Sequence, residues 1–595
     1  PLEILDDTLH GAWTSLPSNT TALINAGAGP IGTNGAADGM RNGAVPNVAN
    51  ALNDYEAQAS AQLVMSGPSI NKTDLNPGLI PTIGTRKQYS VVINLPEGTT
   101  TGVQVNDNLG AGASSFFLEN DGSFDVVYSL NNIASINGVT ALGTTAAIEA
   151  AMTAFPADEA TGNIAWNFGV VVTNTENDQA TTAIAPSITV TYFARINNDA
   201  TTDAGDDLEN AASLVYLHGE TAVATTINAV APAAINVVEP SLSAAAKVGR
   251  NVTKGNADTF TDTFSPPDAG DILEYRISLT AANTADNSDV FDISLLDTLP
   301  AGVQYITGSS AYSSVAGFVS SNVGVAADNS LGNPDISGAM LSWGLASVEP
   351  SDIDIQTGET VHILYRVTVL DSVLATQTLQ NSLVPIWTSL EGVNADERTG
   401  AGGVNDYTVA ALNSSVVTSD NNDLAKVVVG DTFAAGDVRV GDIVTYRLTL
   451  TLQEGTSDTL MIRDELDPGL EFISTTAIGA DVVAPFTASA PFTYTALSAG
   501  TEINTTGTVA AGQTVTWDFG NLVNAGNNSS APANDTDTLI IEYRVRVADA
   551  VFAQAATTVV TNNADMLYNL AGSVAAPLEE AMATVTVDMP VLATT

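Results

Sequence analysis

The sequence predicts an all-β protein built as tandem immunoglobulin-like β-sandwich repeats: three full units plus terminal strands of neighbouring units. Three observations predict this. Four strand-like blocks recur in one order, three times, about every 175 residues, which marks an array rather than one large domain. Within the blocks, side chains alternate in character with a period of two, the strand signature. Between them lie runs rich in Gly, Asn, Asp and Pro, the residues of turns.

The first block, GDILEYRISL (270–279), recurs as GDIVTYRLTL (441–450) and more loosely as GTRKQYSVVI (84–93). Each begins with a turn glycine. Ile272, Glu274 and Arg276 then face one way, and Leu273, Tyr275 and Ile277 the other. The second block is DISLLDTLPAG (292–302), MIRDELDPG (461–469) and VQVNDNLGAG (103–112), with Asp297, Asp464 and Asp107 in register. Its Pro/Gly end stops the strand in a turn. The third block carries Trp166, Trp343 and Trp517, and the fourth carries Tyr192, Tyr365 and Tyr543. Aromatic residues that recur once per unit at strand positions suit a sandwich core better than a carbohydrate platform. Helical pattern is confined to TTAAIEAAMTAF (144–155) in the first unit.

These blocks divide the chain into a tail (1–58), repeats at 59–238, 239–415 and 416–584, and a last segment at 585–595. In the tail, WTSL (13–16) repeats WTSL (387–390) near the end of the second repeat, so residues 1–58 read as the last strands of a preceding or neighbouring-subunit repeat. VTVDMPVLATT (585–595) resembles INVVEPSLSAAAK (235–247), the start of a repeat, and reads as an opening or donor strand. Two arrangements fit. The chain is an excerpt of a longer array, or its terminal strands complete a sandwich in a neighbouring subunit by pairing with an open sheet edge.

Composition narrows the function. Lys plus Arg is 17 against 66 Asp plus Glu, a formal charge of −49. Such a chain repels nucleic acid and anionic lipid. No run of about 18 apolar residues offers a membrane-inserting helix. Cysteine is absent and histidine numbers three, which leaves little for disulfides, thiolate metal sites or imidazole catalysis. The chain begins at Pro1 without a signal peptide, as expected of a mature or excised segment of an extracellular protein.

The combined pattern resembles a known family. A Lys near the unit start, GD-x-V-x-Y-R, D-T-L-P-A-G, a Trp strand and G-E-T-V-x-x-x-Y-R-V (358–367) are similar to an immunoglobulin-like surface repeat of bacterial and archaeal proteins, called domain of unknown function eleven. The resemblance implies an extracellular structural or adhesive role. It is looser in the first repeat, where no opening Lys stands at the matching site, occupied by Val64 and Met65.

In related pilin and adhesin sandwiches a Lys and an Asn on such strands join as an isopeptide bond beside a buried carboxyl. The resemblance therefore implies Lys247, Asn381 and Asp297 in the second repeat, and Lys426, Asp464 and either Asn562 or Asn563 in the third. The first repeat is expected to form no such bond. The competing reading of these residues is a surface lysine, a turn asparagine and a loop-capping aspartate.

Calcium is a weaker candidate. SDNND (419–423), with Asp420 and Asp423, supplies some of the six to eight oxygens calcium needs, but no loop closed by a bidentate Glu follows. No cofactor is otherwise expected. Asn251 and Asn504 begin Asn-x-Thr triplets. The expected function is non-enzymatic: a cell-surface fibre of end-to-end sandwiches whose partners are copies of itself. The alternative is an adhesin stalk whose inserts, 113–160 and 476–512, decorate the fibre and bind glycan or protein on another surface.

Overall fold

The computed structural model describes residues 1–12, 56–110, 116–174, 186–254, 259–261, 264–313, 334–344, 353–400, 404, 406–431, 437–479, 492–494, 503–527, 536–549, 557–571 and 576–589. The chain divides into two compact units, 1–238 with one β-sandwich and 239–595 with two.

The three sandwiches share one plan. In the first, a sheet orders the strand Ser69–Asp74, then Arg86–Asn94, Ser187–Ile196 and Phe116–Glu119. The facing sheet orders Ala224–Asn228, Ala211–Leu217, Thr99–Asn108, Asn163–Thr173 and Ile133–Ile136. The second sandwich repeats this with Leu242–Asn251, Ile272–Ala281, Thr360–Val369 and Val303–Tyr305 against Asp335–Ser337, Met340–Trp343, Phe291–Thr298, Thr378–Thr388 and Leu412–Val417. The third uses Asp423–Asp431, Ile443–Gln453, Thr536–Val547 and Leu470–Gly479. These face a larger sheet that contains Ala576–Asp588, Thr557–Asn569, Gly455–Leu466 and Gly512–Asn524.

Alternation explains the cores. Arg86–Asn94 buries every second residue, so Tyr89, Val91 and Ile93 enter the core while their neighbours face outward. Tyr89 pairs with Tyr192, Tyr275 with Tyr365 and Tyr446 with Tyr543, in the same register each time. Trp166, Trp343 and Trp517 pack on the second tyrosine of each pair, with ring centroids 5.3, 5.2 and 5.1 Å apart. In the first and third sandwiches the tryptophan strand bulges where Gly169 (φ 68°) and Gly520 (φ 64°) follow Phe168 and Phe519. The extra residue of the bulge turns these phenylalanines inward, and positive φ suits glycine there. The helical pattern yields one short helix, Thr145–Ala151, whose amide at Ala147 donates to the Thr144 hydroxyl and which buries Ile148 and Ala151.

The inserts do not merely decorate. Phe116–Glu119 and Val127–Asn131 both pair with the Ser187–Ile196 strand, and Phe116, Leu118, Tyr128 and Ile148 lie in the core. Leu470–Gly479 pairs with Thr536–Val547, and Phe492–Tyr494 with the tryptophan strand. The expectation fails because these segments carry core residues that satisfy the sheet edges.

Repeats two and three meet through main-chain hydrogen bonds. Thr456 donates to the Val373 carbonyl (2.8 Å) and Ala269 to that of Glu454 (3.2 Å), and Gly526 donates to the Asp371 carboxylate (2.9 Å).

Ile4–Ala12 and Glu56–Val64 form a separate two-stranded antiparallel ribbon. Leu5 pairs with Leu63 and Leu9 with Ala59 on one face, with Asp7 opposite Ala61 between them, and Leu9 and Leu63 are 73% and 62% exposed. Strand Glu56–Val64 crosses residue 58, and Ala576–Asp588 carries residues 585–588 in the third repeat's own sheet. The WTSL match at 13–16 and the end of the chain from Pro590 lie outside the described residues.

Candidate functional site

A lysine from the first strand of one sheet crosses the core to an aspartate of the other. In the second repeat Lys247 lies on Leu242–Asn251 and donates to Asp297 Oδ2 at 2.6 Å. Tyr365 donates its hydroxyl to the same oxygen at 2.6 Å, and Asn381 Nδ2 donates to the Tyr365 oxygen at 2.6 Å. The third repeat is alike: Lys426 to Asp464 Oδ2 at 2.5 Å, Tyr543 to Asp464 Oδ2 at 2.6 Å, and Asn562 Nδ2 to Tyr543 at 2.8 Å. The period-two rule separates Asn562 from Asn563. Asn562 is buried and Asn563 points outward.

The first repeat carries the same four residues, against expectation. Lys72 donates to Asp107 Oδ1 at 2.6 Å and to Asn210 Oδ1. Tyr192 donates to Asp107 Oδ2 at 2.6 Å, and Asn210 Nδ2 donates to Tyr192 at 3.1 Å. Lys72 pairs with Val91, as Lys247 pairs with Ile277 and Lys426 with Leu448. Val64 and Met65 are exposed, and Val64 lies on the separate ribbon. The lysine was hidden because the separation between the lysine and the first tyrosine differs in every repeat, shortest from Lys72 to Tyr89 and longest from Lys247 to Tyr275, so a fixed spacing misses it.

The registers explain the convergence. Asp107 pairs with Ala212, Asp297 with Leu383 and Asp464 with Ala564, each two residues beyond the asparagine. Asparagine and aspartate therefore share the inward face of adjacent strands as diagonal neighbours. A second tyrosine completes the lid: each lysine nitrogen lies 5.0–5.8 Å from the ring centres of both tyrosines.

Burial sets the protonation. Desolvation lowers Lys72, Lys247 and Lys426 to about 8, against the pull of the facing carboxylate. Desolvation also raises Asp107, Asp297 and Asp464, which the lysine and tyrosine bonds only partly counter. Both shifts favour the neutral pair, an amine beside a carboxylic acid. In the second and third repeats Oδ1 of Asp297, Asn381, Asp464 and Asn562 is buried without a partner. Bare acceptors in sealed pockets are what a carboxyl proton relieves. The arrangement brings together the elements of amide exchange: an amine whose deprotonation burial favours, a carboxamide and a carboxyl.

The other candidates fall differently. Asp420 accepts from Tyr568 at 2.9 Å, and Asp420 and Asp423 are exposed. Among the described residues no group of three or more His, Asp and Glu side chains is placed to hold a metal ion. Asn251 is buried and donates to Asp271 at 2.8 Å, so it presents no glycosylation site. No described helix is long and apolar enough to cross a membrane.

No protein-family model matches the chain, and no curated protein sequence matches it. Solved structures resemble parts of it. The C-terminal domain of the Streptococcus pyogenes antigen I/II-family protein AspA is 13% identical with a TM-score of 0.21, covering 60% of this chain and 100% of that one. The C-terminal fragment of the Streptococcus agalactiae major pilin GBS80 is 10% identical at 0.19, covering 57% and 93%. The Bacillus cereus major pilin subunit BcpA is 8% identical at 0.20, covering 56% and 66%.

Proposed function

We propose that the chain is a non-enzymatic, extracellular structural segment of a surface fibre or stalk, in which each sandwich is stapled by a lysine–asparagine amide bond: Lys72–Asn210, Lys247–Asn381 and Lys426–Asn562. One observation carries this reading. The same Lys, Asp, Tyr and Asn meet in a sealed pocket in all three repeats, although the position before the first tyrosine varies among Gln88, Glu274 and Thr445. A buried ion pair by itself is a poor stabiliser, so an unreacted pair is a weak reason to meet three times.

The staple links the first strand of one sheet to a strand near the end of the repeat in the other. Tension that enters at the first strand passes through the bond and bypasses the residues between. End-to-end main-chain contact between repeats two and three suits the same task. Intact mass tests the bonds: each releases one ammonia, so three bonds leave the chain about 51 Da light. A mass equal to that of the sequence rejects them. Pulling single chains tests the mechanics, since stapled repeats resist extension between their bonded residues.

The ribbon favours an extension of this reading. Leu5, Asp7 and Leu9 stand before WTSL as Leu379, Asn381 and Leu383 do. Leu379, Asn381 and Leu383 are buried against the rest of their sandwich, whereas Leu5 and Leu9 are exposed. The ribbon is then the closing strand pair of a further sandwich, the route by which copies join, and Asp7 takes the acceptor position. A carboxyl acceptor releases water rather than ammonia. A peptide containing Asp7 that is found only unbranched in assembled material rejects this extension.

A further inference from the structure

In every repeat a tyrosine hydroxyl stands between the carboxyl and the amide nitrogen that has to leave. In the second repeat the chain of contacts runs Lys247 Nζ, Asp297 Oδ2, Tyr365 hydroxyl, Asn381 Nδ2, each link 2.6 Å. The third repeat follows the same order at 2.5, 2.6 and 2.8 Å. The first runs Lys72, Asp107, Tyr192, Asn210 at 2.6, 2.6 and 3.1 Å, through both carboxylate oxygens. Tyr192, Tyr365 and Tyr543 are buried, and each packs against the tryptophan of its repeat. The hydroxyl of the partner tyrosine is not in this chain of contacts. The hydroxyls of Tyr275 and Tyr446 lie near Asn381 and Asn562 but make no well-formed hydrogen bond.

Amide exchange has a proton problem that this wire solves. The lysine nitrogen bonds to the carboxamide carbon and must shed a proton. The departing nitrogen must gain one, because an amide anion is too basic to leave. The pocket is closed to water, so the proton has to travel through the protein. We propose that Tyr192, Tyr365 and Tyr543 are catalytic residues of the isopeptide reaction, relaying the proton from lysine, by way of the aspartate carboxyl, to the leaving amide nitrogen. This rests on the isopeptide reading above.

The step balances. The Nζ–Cγ bond forms and the carbonyl becomes a tetrahedral centre, with the carboxyl as the nearby acid for its oxygen. The amine proton passes to the carboxylate. In the resting state the hydrogen bonds point from the Asn Nδ2 to the Tyr oxygen and from the Tyr hydroxyl to the carboxylate. Once the carboxyl holds the lysine proton, and Nδ2 has become tetrahedral with a free lone pair, both bonds reverse. The carboxyl then donates to the phenol oxygen and the phenol to Nδ2. The Cγ–Nδ2 bond breaks, the re-forming carbonyl returns its proton to the carboxylate, and ammonia leaves. The products are one secondary amide and one ammonia, with the carboxyl and phenol restored. The phenol passes one proton while accepting another and never needs to ionise. That suits a group whose ionisation is opposed first by burial and then by the nearby aspartate.

The experiment replaces Tyr192, Tyr365 or Tyr543 by Phe, one at a time, in the full chain. The chain is made by cell-free synthesis, samples are quenched at intervals, and the branched Lys–Asn peptide of each repeat is quantified by mass spectrometry. The two unaltered repeats act as clocks in the same molecule. The expected result is bond formation about a hundredfold slower in the altered repeat alone, the usual worth of a positioned proton donor. Fluorescence of the tryptophan packed against the altered ring reports that the repeat has folded. Should one variant fail to fold, the other two repeats carry the same test. Bond formation at the wild-type rate in the Phe variants overturns the relay while leaving the isopeptide reading intact. Absence of branched peptides from the unaltered protein overturns that reading, and the relay with it.

Discussion

Replacing Asn210 by Ala removes the acceptor of the first repeat and should separate a stapled sandwich from an ordinary one. Lys72 and Asn210 are 138 residues apart. Cross-linking a loop of that size takes about 17 cal/mol/K from the unfolded chain, or about 5 kcal/mol at room temperature, on the loop-closure relation used for disulfides. The hydrogen bonds of the asparagine itself account for only about 1 kcal/mol each. For a domain of this size the bond is worth roughly 10–20 °C in unfolding temperature. Calorimetry of wild type and N210A reads the shift, and intact mass reads the bond. The variant should be about 34 Da lighter than its own sequence, against about 51 Da for wild type. The reasoning is refuted if wild type has the full mass of its sequence, or if the first sandwich of N210A melts within about a degree of the parent, far inside the expected shift.

Other outcomes follow from the same geometry. Asp464→Asn removes the acid of the third repeat and strands the Lys426 amine without a counter-charge. Its bond should be lost, and the repeat should be less stable than in N562A, by an amount on the order of 3 kcal/mol, read in urea melts. Bond formation should follow a bell-shaped pH profile, because the amine–acid pair reacts only while it holds a single proton. Above about pH 8, to which burial lowers the lysines, the pair loses that proton. At acid pH it holds two, and the protonated amine cannot attack. A rate that climbs steadily to pH 10 contradicts this. Gly520→Ala should destabilise the third repeat by about 1–2 kcal/mol, since φ there is 64° at the bulge that aims Phe519 inward; an unchanged urea midpoint would show that the bulge relaxes. In assembled fibres, Asp7→Ala should abolish the branched peptide formed at the ribbon, about 18 Da lighter than its two arms combined.

Much of the architecture was legible in the residues. The turn glycines at 84, 270 and 441, the in-register aspartates and the recurring Trp and Tyr are local signals, because a strand writes its two faces into alternate positions. The parity that distinguishes Asn562 from Asn563 was legible too. Core aromatics Tyr216, Trp387 and Tyr568 each stand six residues after the asparagine of their repeat, and an even spacing means a shared face. Read that way, the sequence also points to Asn210.

Lys72 was not legible by spacing, since the loops that separate a lysine from the next strand differ in length and are free to do so on the surface. The inserts were misread for a related reason. Phe116 and Tyr128 carry no mark that they return to pair beside Tyr192, because an edge strand is defined by its neighbour. By itself the sequence determined the repeat, its strands and which faces of them are buried. Only the tertiary structure decided that four polar residues from two sheets converge, how their hydrogen bonds run, and that the first repeat shares the site. Those facts depend on cross-strand register and on the distance between sheets, quantities no single strand encodes.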